Sequence, residues 1–122
     1  MPTGRMEMLV DEREIMKQPV HIQFHGMEAS EALENKAREY VQKLESMASD
    51  LMACRVHIDL EQKHQQQGRP YGVRIDLTLP GRELVVNRVH NEDAYVALRD
   101  AFDSMKRQLE DVVRRRQDKL HN

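Results

Sequence analysis

The sequence predicts an α+β domain in two layers, with the order β-α-β-β-β-α and both helices on one face of a four-stranded mixed sheet. Two long segments repeat apolar residues at helical spacing, and four short segments show the patterns of strands. A strand-helix-strand unit crosses over right-handed, so the first two strands should be parallel, and hairpins make the others antiparallel. At 122 residues the chain has room for one modest core, which both helices would cover from the same side.

Residues 1–18 precede this pattern and have mixed charge without a sustained period. We expect them to form a mobile N-terminal extension and residues 19–122 to form the single domain. The first strand is predicted over residues 20–25, where every second residue is apolar, and Gly26 ends it.

The first helix is predicted to begin after Ser30, whose hydroxyl is a good N-cap, and to end around Ser49 or Asp50. Glu31 and Glu34 add negative charge to its first turns, where the helix dipole favours it. Its apolar stripe is predicted to contain Leu33, Ala37, Tyr40, Val41, Leu44, Met47, Ala48 and Leu51.

Three more strands are predicted. Residues 54–61 and 71–79 alternate apolar and polar side chains, and the polar residues 62–70 between them form an exposed hairpin connection. Pro80-Gly81 predicts a tight turn into the fourth strand, over residues 84–89. The apolar triplet at the start of that strand leaves its register open.

The last helix is predicted from Asn91 to Leu120, with Asn91 as N-cap, Glu92 and Asp93 in the first turn, and arginines in the last turns. The residues at core spacing are Ala94, Leu98, Ala101, Phe102, Met105, Leu109 and Val112.

Composition limits the classes of protein to which this chain could belong. Charged residues make up 33% of the chain, but the net charge is only −2, so composition alone does not indicate a nucleic-acid binder. Cys54 is the single cysteine and excludes an internal disulfide. The sequence contains no segment long enough to span a bilayer and no apolar core of a signal peptide, so we predict a cytoplasmic protein.

Catalytic and metal-binding patterns are missing from the sequence. It contains no phosphate loop, nucleophile elbow or metal-spaced Cys/His cluster. His21 and His25 would lie about 13 Å apart along one strand face, too far to share a metal ion. Asp59 and Asp76 alternate with arginines and predict cross-strand ion pairs. We therefore predict no enzymatic activity, no cofactor, no metal and no small-molecule substrate.

Binding is the remaining class, and the last helix contains many cations. Much of this charge could instead be solvated pairing within the helix, because four acid-base pairs are spaced four residues apart. These pairs are Asp103–Arg107, Lys106–Glu110, Glu110–Arg114 and Asp111–Arg115.

Several motifs resemble one known family. Thr78-Leu79-Pro80-Gly81 before Leu84-Val85-Val86, then Glu92-Asp93-Ala94-Tyr95 and Arg107-Gln108-Leu109, are similar to motifs of the ribosome hibernation-promoting factors. These include the ribosome-associated inhibitor called protein Y and are also called sigma-factor modulation proteins. The resemblance covers residues 20–119 and is to the short form, without the second domain that long members use to pair ribosomes.

The resemblance implies a non-catalytic stress and stationary-phase factor that occupies the RNA path of the small ribosomal subunit and silences translation. Its partners would be the small subunit and its ribosomal RNA, bound by a monomer; the oligomeric state of the free protein and any role in ribosome dimerisation stay open. Lys43 and Arg107 match family contact positions, and we add neighbouring cations. The predicted RNA-contact set is Lys43, Arg82, Arg88, Arg99, Lys106, Arg107, Arg114 and Arg115.

The chain also departs from the family at three basic positions. The family usually has lysines where this chain has Ser104 and Asp111, and a basic residue where it has Tyr40. The alternative function is therefore a divergent interaction module of the same fold that binds a protein or another RNA.

Overall fold

A computed structural model of the protein describes residues 20–61, 68 and 70–121. Its elements are the strands and helices β1 (Val20–His25), α1 (Glu31–Met47), β2 (Ala53–Leu60), β3 (Tyr71–Leu79), β4 (Arg82–Asn91) and α2 (Ala94–His121). This order confirms the predicted fold class. The predicted N-terminal extension and most of the connection between β2 and β3 lie outside the described residues.

The four strands form one mixed sheet in the order β1-β2-β3-β4. β1 is parallel to β2, and the other two neighbouring pairs are antiparallel, as predicted. Both helices pack on the same face of this sheet, and α2 lies mainly over β3 and β4. The opposite face, here called the outer face, is free of either helix.

The two helices run in the same direction. Tyr40 of α1 stacks on Phe102 of α2, and farther along both helices Asp50, just beyond α1, forms an ion pair with Arg116 of α2. The predicted apolar stripe of α2 is buried throughout, and Ala97, which we did not predict, is fully buried beside it. Repetition every three or four residues was therefore a sufficient guide to the core face of this helix.

The predicted start of α2 was wrong. Asp93, not Asn91, is the N-cap, because its side-chain oxygen accepts from the backbone N–H groups of Tyr95 and Val96. Asn91 is the last residue of β4, and its side chain accepts from the Asp93 N–H instead. Glu92 and Asp93 thus precede the helix, whose first turn has no acidic residue.

The end of α1 also differs from the prediction. The Ser30 hydroxyl caps the helix start as expected, but the helix ends at Met47 rather than near Ser49 or Asp50. Ala48 has extended dihedral angles while its N–H still bonds to the Leu44 carbonyl. Leu51 lies beyond the helix and is nevertheless buried. An apolar residue can therefore keep the helical spacing of the stripe in the sequence after the helix itself has ended.

The register of β4, open from the sequence, is decided by its pairing with β3. Leu84 and Val86 pair with Leu77 and Ile75 and are buried, whereas Val85 between them is exposed. The predicted Pro80-Gly81 turn joins the two strands, and Gly81 has a φ of +78° that favours glycine. The register then shifts between Val73 and Ile75, which is an irregularity of the β-bulge kind.

Candidate nucleic-acid interface

Ion pairing divides the eight predicted RNA-contact residues into two groups. Within the part of the chain that the structure describes, one group forms ion pairs within 4.0 Å and comprises Arg88, Arg99, Arg114 and Arg115. The other group forms none and comprises Lys43, Arg82, Lys106 and Arg107. We call this second group the unpaired cations.

The pairing within α2 agrees only in part with the four predicted pairs. Asp111 bonds to Arg115 at 3.0 Å, as predicted, and it also accepts from Arg114, which was expected to pair with Glu110. Arg107 and Lys106 form no ion pair with any of the described residues. Asp111, which replaces a family lysine by resemblance, therefore pairs with two neighbouring arginines and compensates one of their two charges.

Lys43 lies beside the contact between the two helices. The rings of Tyr40 and Phe102 are stacked with centroids 5.2 Å apart, and the Nζ atoms of Lys36 and Lys43 lie 5.6 and 5.7 Å from the Tyr40 centroid. Lys43 lies about one turn after Tyr40 in α1, and Lys106 lies about one turn after Phe102 in α2. Because the helices run in the same direction, both lysines are displaced from the aromatic contact toward the helix C-termini. Sequence reasoning treated Tyr40 as a lost basic position and missed that its ring holds two cations.

The Arg107-Gln108-Leu109 motif divides three tasks among successive residues. Leu109 is fully buried in the core, and Gln108 Nε2 donates to the Val85 carbonyl at 3.0 Å, which ties α2 to β4. Arg107 points away from both and is exposed. The motif therefore presents a cation on a helix that its two neighbours hold in place.

Arg82 belongs to a different part of the surface. It lines a cleft of about 350 Å³ between the β3–β4 turn and the last turns of α2. The lining consists of Pro80, Gly81, Arg82, Val112, Arg115, Arg116 and Lys119. Two of the predicted residues thus come together here, beside Arg116 and Lys119, which are not in the predicted RNA-contact set.

The arginines on the outer face of the sheet are paired with carboxylates. Arg55 bonds to Glu83 at 3.2 Å, Arg74 bonds to Asp76 at 3.1 Å, and Arg88 of β4 reaches Asp59 of β2 at 3.1 Å. The last of these confirms a cross-strand pair, whereas the Arg74 pair lies within one strand. Each arginine of this face is therefore already bound to a carboxylate.

Gly72 of β3 leaves room for the side chains of His90 and Arg88 on the outer face. It lies directly between Asp59 of β2 and His90 of β4 in the strand register. A Cβ atom on Gly72 would lie 3.0 Å from His90 Nε2 and 3.6 Å from the Arg88 Cδ. The missing side chain thus lets Arg88 and His90 lie across the sheet.

Histidines also meet on this face. The rings of His25 and His57 are stacked with centroids 5.8 Å apart, and His57 Nε2 lies 4.0 Å from Asp76. These groups help to line a cleft of about 540 Å³. Among the described residues, no group of three or more His, Cys, Asp or Glu side chains is arranged to hold a metal ion.

Cys54 is buried under the helices and is not part of either surface. The pKa of its thiol is raised from 9.0 to about 12, mainly by burial and also by the nearby Asp76 carboxylate, with Arg55 partly opposing the rise. The thiol is therefore neutral at ordinary pH, as a small apolar core residue would be.

Residues 20–117 match the family described as "Sigma 54 modulation protein / S30EA ribosomal protein". The chain belongs to this family. The match covers the whole described domain except the end of α2, and it confirms the family predicted from the motifs. None of the proteins with curated descriptions is significantly similar to the sequence.

Two solved structures share the fold. A ribosomal subunit interface protein from Coxiella burnetii is 13% identical with a TM-score of 0.66, over 77% of this chain and 96% of that chain. The N-terminal domain of Protein Y from Thermus thermophilus is 18% identical with a TM-score of 0.65, over 77% of this chain and 98% of that one. No helix in the described residues of this family member is long and apolar enough to cross a membrane.

Proposed function

We propose that this protein is a cytoplasmic, non-catalytic stress factor that occupies the RNA path of the small ribosomal subunit and silences translation. Membership of the S30EA family supports a ribosomal role, and a structure of the same fold is described as a ribosomal subunit interface protein. The partners are the small subunit and its ribosomal RNA, contacted through phosphates and therefore largely without regard to base sequence.

The observation that most directly supports this proposal is the distribution of unpaired cations. Lys43, Lys106 and Arg107 lie on the two helices, and Arg82 lies at the β3–β4 turn. The arginines of the outer face, by contrast, are each bound to a carboxylate. An unpaired cation can approach a phosphate without first losing a partner, so the helical layer is the surface that RNA would contact.

The test is cosedimentation of the full chain with purified small subunits over a series of salt concentrations. The logarithm of the binding constant falls with the logarithm of salt by about 0.7 for each phosphate contact to single-stranded RNA. Contacts from the four unpaired cations alone predict a slope of about −3, and contacts from all eight predicted residues about −6. The slope therefore counts how many of these residues reach phosphate.

The interaction-module alternative gives a different result in the same experiment. Asp111 pairs with Arg114 and Arg115 and lowers the net positive charge of the helix that should meet RNA, and this favours a partner other than the ribosome. In that case the protein would stay in the supernatant even at low salt, while a small subunit preparation would still bind a family member used as a positive control. Cosedimentation of the protein at low salt with a binding constant that does not fall as the salt concentration rises would also contradict phosphate contacts.

A further inference from the structure

The cleft between the β3–β4 turn and the end of α2, here called the basic cleft, is formed by residues far apart in the sequence. Strand alternation turns Arg82 to the same face as Leu84 and Val86, which is the face that the helices cover. Arg115 and Lys119 are four residues apart on α2 and so lie on one side of that helix. Arg82 is therefore opposite the two, across an opening of about 350 Å³.

Among the described residues, the lining of the basic cleft includes four cations and no carboxylate. Arg115 and Arg116 are each tethered by a carboxylate outside the lining, Asp111 at 3.0 Å and Asp50 at 2.8 Å. Arg82 and Lys119 form no ion pair with any described residue. The cleft therefore contains two cations that are paired with carboxylates and two whose charge is not compensated.

The acidic residue next to Arg82 in the sequence does not neutralise the cleft. Glu83 follows Arg82 directly, but it points to the outer face, where it accepts from Arg55 and from the Thr78 hydroxyl, each at 3.2 Å. Gly81 adds no side chain at the mouth, and a Cβ built there would meet nothing within 4 Å. Glu83 therefore leaves the charge of Arg82 uncompensated, and no side chain at position 81 obstructs the opening.

The dipole of α2 explains only part of this arrangement. Cations near a helix C-terminus are favoured by the dipole, which accounts for Arg115, Arg116 and Lys119 without any ligand. It does not account for Arg82, because that residue comes from a strand of the sheet and faces the same opening. The uncompensated charges of Arg82 and Lys119 repel each other across the cleft, and an anion would relieve this repulsion.

We propose that the basic cleft binds a phosphate group. A guanidinium has five N–H donors, so an ion-paired arginine still has donors free for phosphate oxygens. Lys119 and Arg82 supply the net charge that the tethered pair does not. The phosphate comes either from an RNA backbone or from a small free anion such as pyrophosphate. The RNA form of this inference rests on the proposed function, and the free-anion form does not.

The first arm of the test uses inorganic pyrophosphate and the full chain labelled with ¹⁵N. Wild type should show amide shifts at Gly81, Arg82 and residues 112–119, and chloride at equal ionic strength should not reproduce them. The double variant Arg82→Gln/Lys119→Gln should weaken pyrophosphate binding at least tenfold. The control variant Arg38→Gln/Arg74→Gln removes the same charge elsewhere, keeps the Arg55–Glu83 pair, and should keep wild-type affinity. Shifts outside the cleft, or equal weakening in both variants, would overturn the inference.

The second arm uses the same variants in cosedimentation with small subunits. Loss of binding in the cleft variant but not in the control identifies the RNA backbone as the source of the phosphate. Unchanged cosedimentation with loss of pyrophosphate binding identifies a free anion. If wild type binds pyrophosphate in the cleft but never cosediments, the proposed function fails and the cleft inference stands. If neither pyrophosphate nor subunit binding depends on Arg82 and Lys119, the cleft inference is wrong.

Discussion

The ring of Tyr40 in α1 lies against the ring of Phe102 in α2, with centroids 5.2 Å apart and planes 26° from parallel. Phe102 belongs to the core and is nearly fully buried, whereas Tyr40 is only partly buried and has Lys36 and Lys43 beside its ring. One aromatic contact therefore joins the helices and also positions two cations at the surface where we propose RNA contact.

Removal of this contact should destabilise the domain strongly. Phe102→Ala deletes a buried aromatic ring, so we expect it to lower the free energy of unfolding by about 3–5 kcal/mol in urea denaturation. Asp100→Ala is the control, because Asp100 faces solvent and its exposed pair with Arg99 contributes at most about 1 kcal/mol. Equal losses in the two variants would show that the assigned core face of α2 is wrong.

Gly26 should tolerate alanine less well than Gly81. Both have positive φ, +74° and +78°, which costs a residue with a Cβ about 1–2 kcal/mol. At Gly26 the Cβ would also lie 2.3 Å from the Leu60 carbonyl oxygen, whereas at Gly81 it would meet open space. We expect Gly26→Ala to lower the urea midpoint clearly more than Gly81→Ala does. Similar midpoints would mean that the ends of β1 and β2 can separate at little cost.

Charge reversal at Arg107 should weaken small-subunit binding without affecting stability. Arg107 forms no ion pair among the described residues, so Arg107→Glu should change the free energy of unfolding by less than about 0.5 kcal/mol. The salt dependence of binding should become shallower by about 1.

Arg38→Glu is the matched control for this experiment, since it makes the same change in charge on the flank of α1 away from Tyr40, about 160° around the helix. A wild-type salt dependence in the Arg107→Glu variant, or an equal decrease in both variants, would exclude Arg107 as a specific contact.

Restoring the family's basic residues should tighten binding. Ser104→Lys with Asp111→Lys adds two cations and also removes the carboxylate that pairs with Arg114 and Arg115. We expect a higher affinity for small subunits and a salt dependence steeper by about 1 to 3, depending on how many of the four cations reach phosphate.

Asp111→Ala alone separates these two effects, because it frees the arginines without adding a cation. If the double substitution left affinity unchanged, this face of α2 would not be the contact surface, and the interaction-module alternative would gain support.

The Cys54 thiol should be unreactive in the folded protein. It is 1% exposed, and its pKa is raised to about 12, so iodoacetamide at pH 8 should modify it only after unfolding in urea. The folded state retains the thiol proton to a higher pH than the unfolded state does. The contribution of the thiol to the free energy of unfolding therefore decreases as the pH rises from about 9 to about 12.

The stability advantage of wild type over Cys54→Ala should therefore shrink by about 1 kcal/mol between pH 8 and pH 10. An advantage that stays constant over this range would show that the thiol ionises normally in the folded protein.

The sequence by itself determined the elements and the core faces. Apolar residues repeat every second position in the strands and every three or four in the helices, and this repetition depends only on local backbone geometry. The stripe of α2, the inward residues of β3 and the Pro80-Gly81 turn could be predicted for this reason. The family motifs could be recognised in the same way, because each motif is continuous in the chain.

Only the tertiary structure decided which residues meet. Three consecutive apolar residues could place Val85 or its neighbours in the core, and pairing with β3 settled the choice. Arg82 and Lys119 face one cleft because the sheet and α2 pack together. Such contacts join distant parts of the chain, and local periodicity holds no information about them.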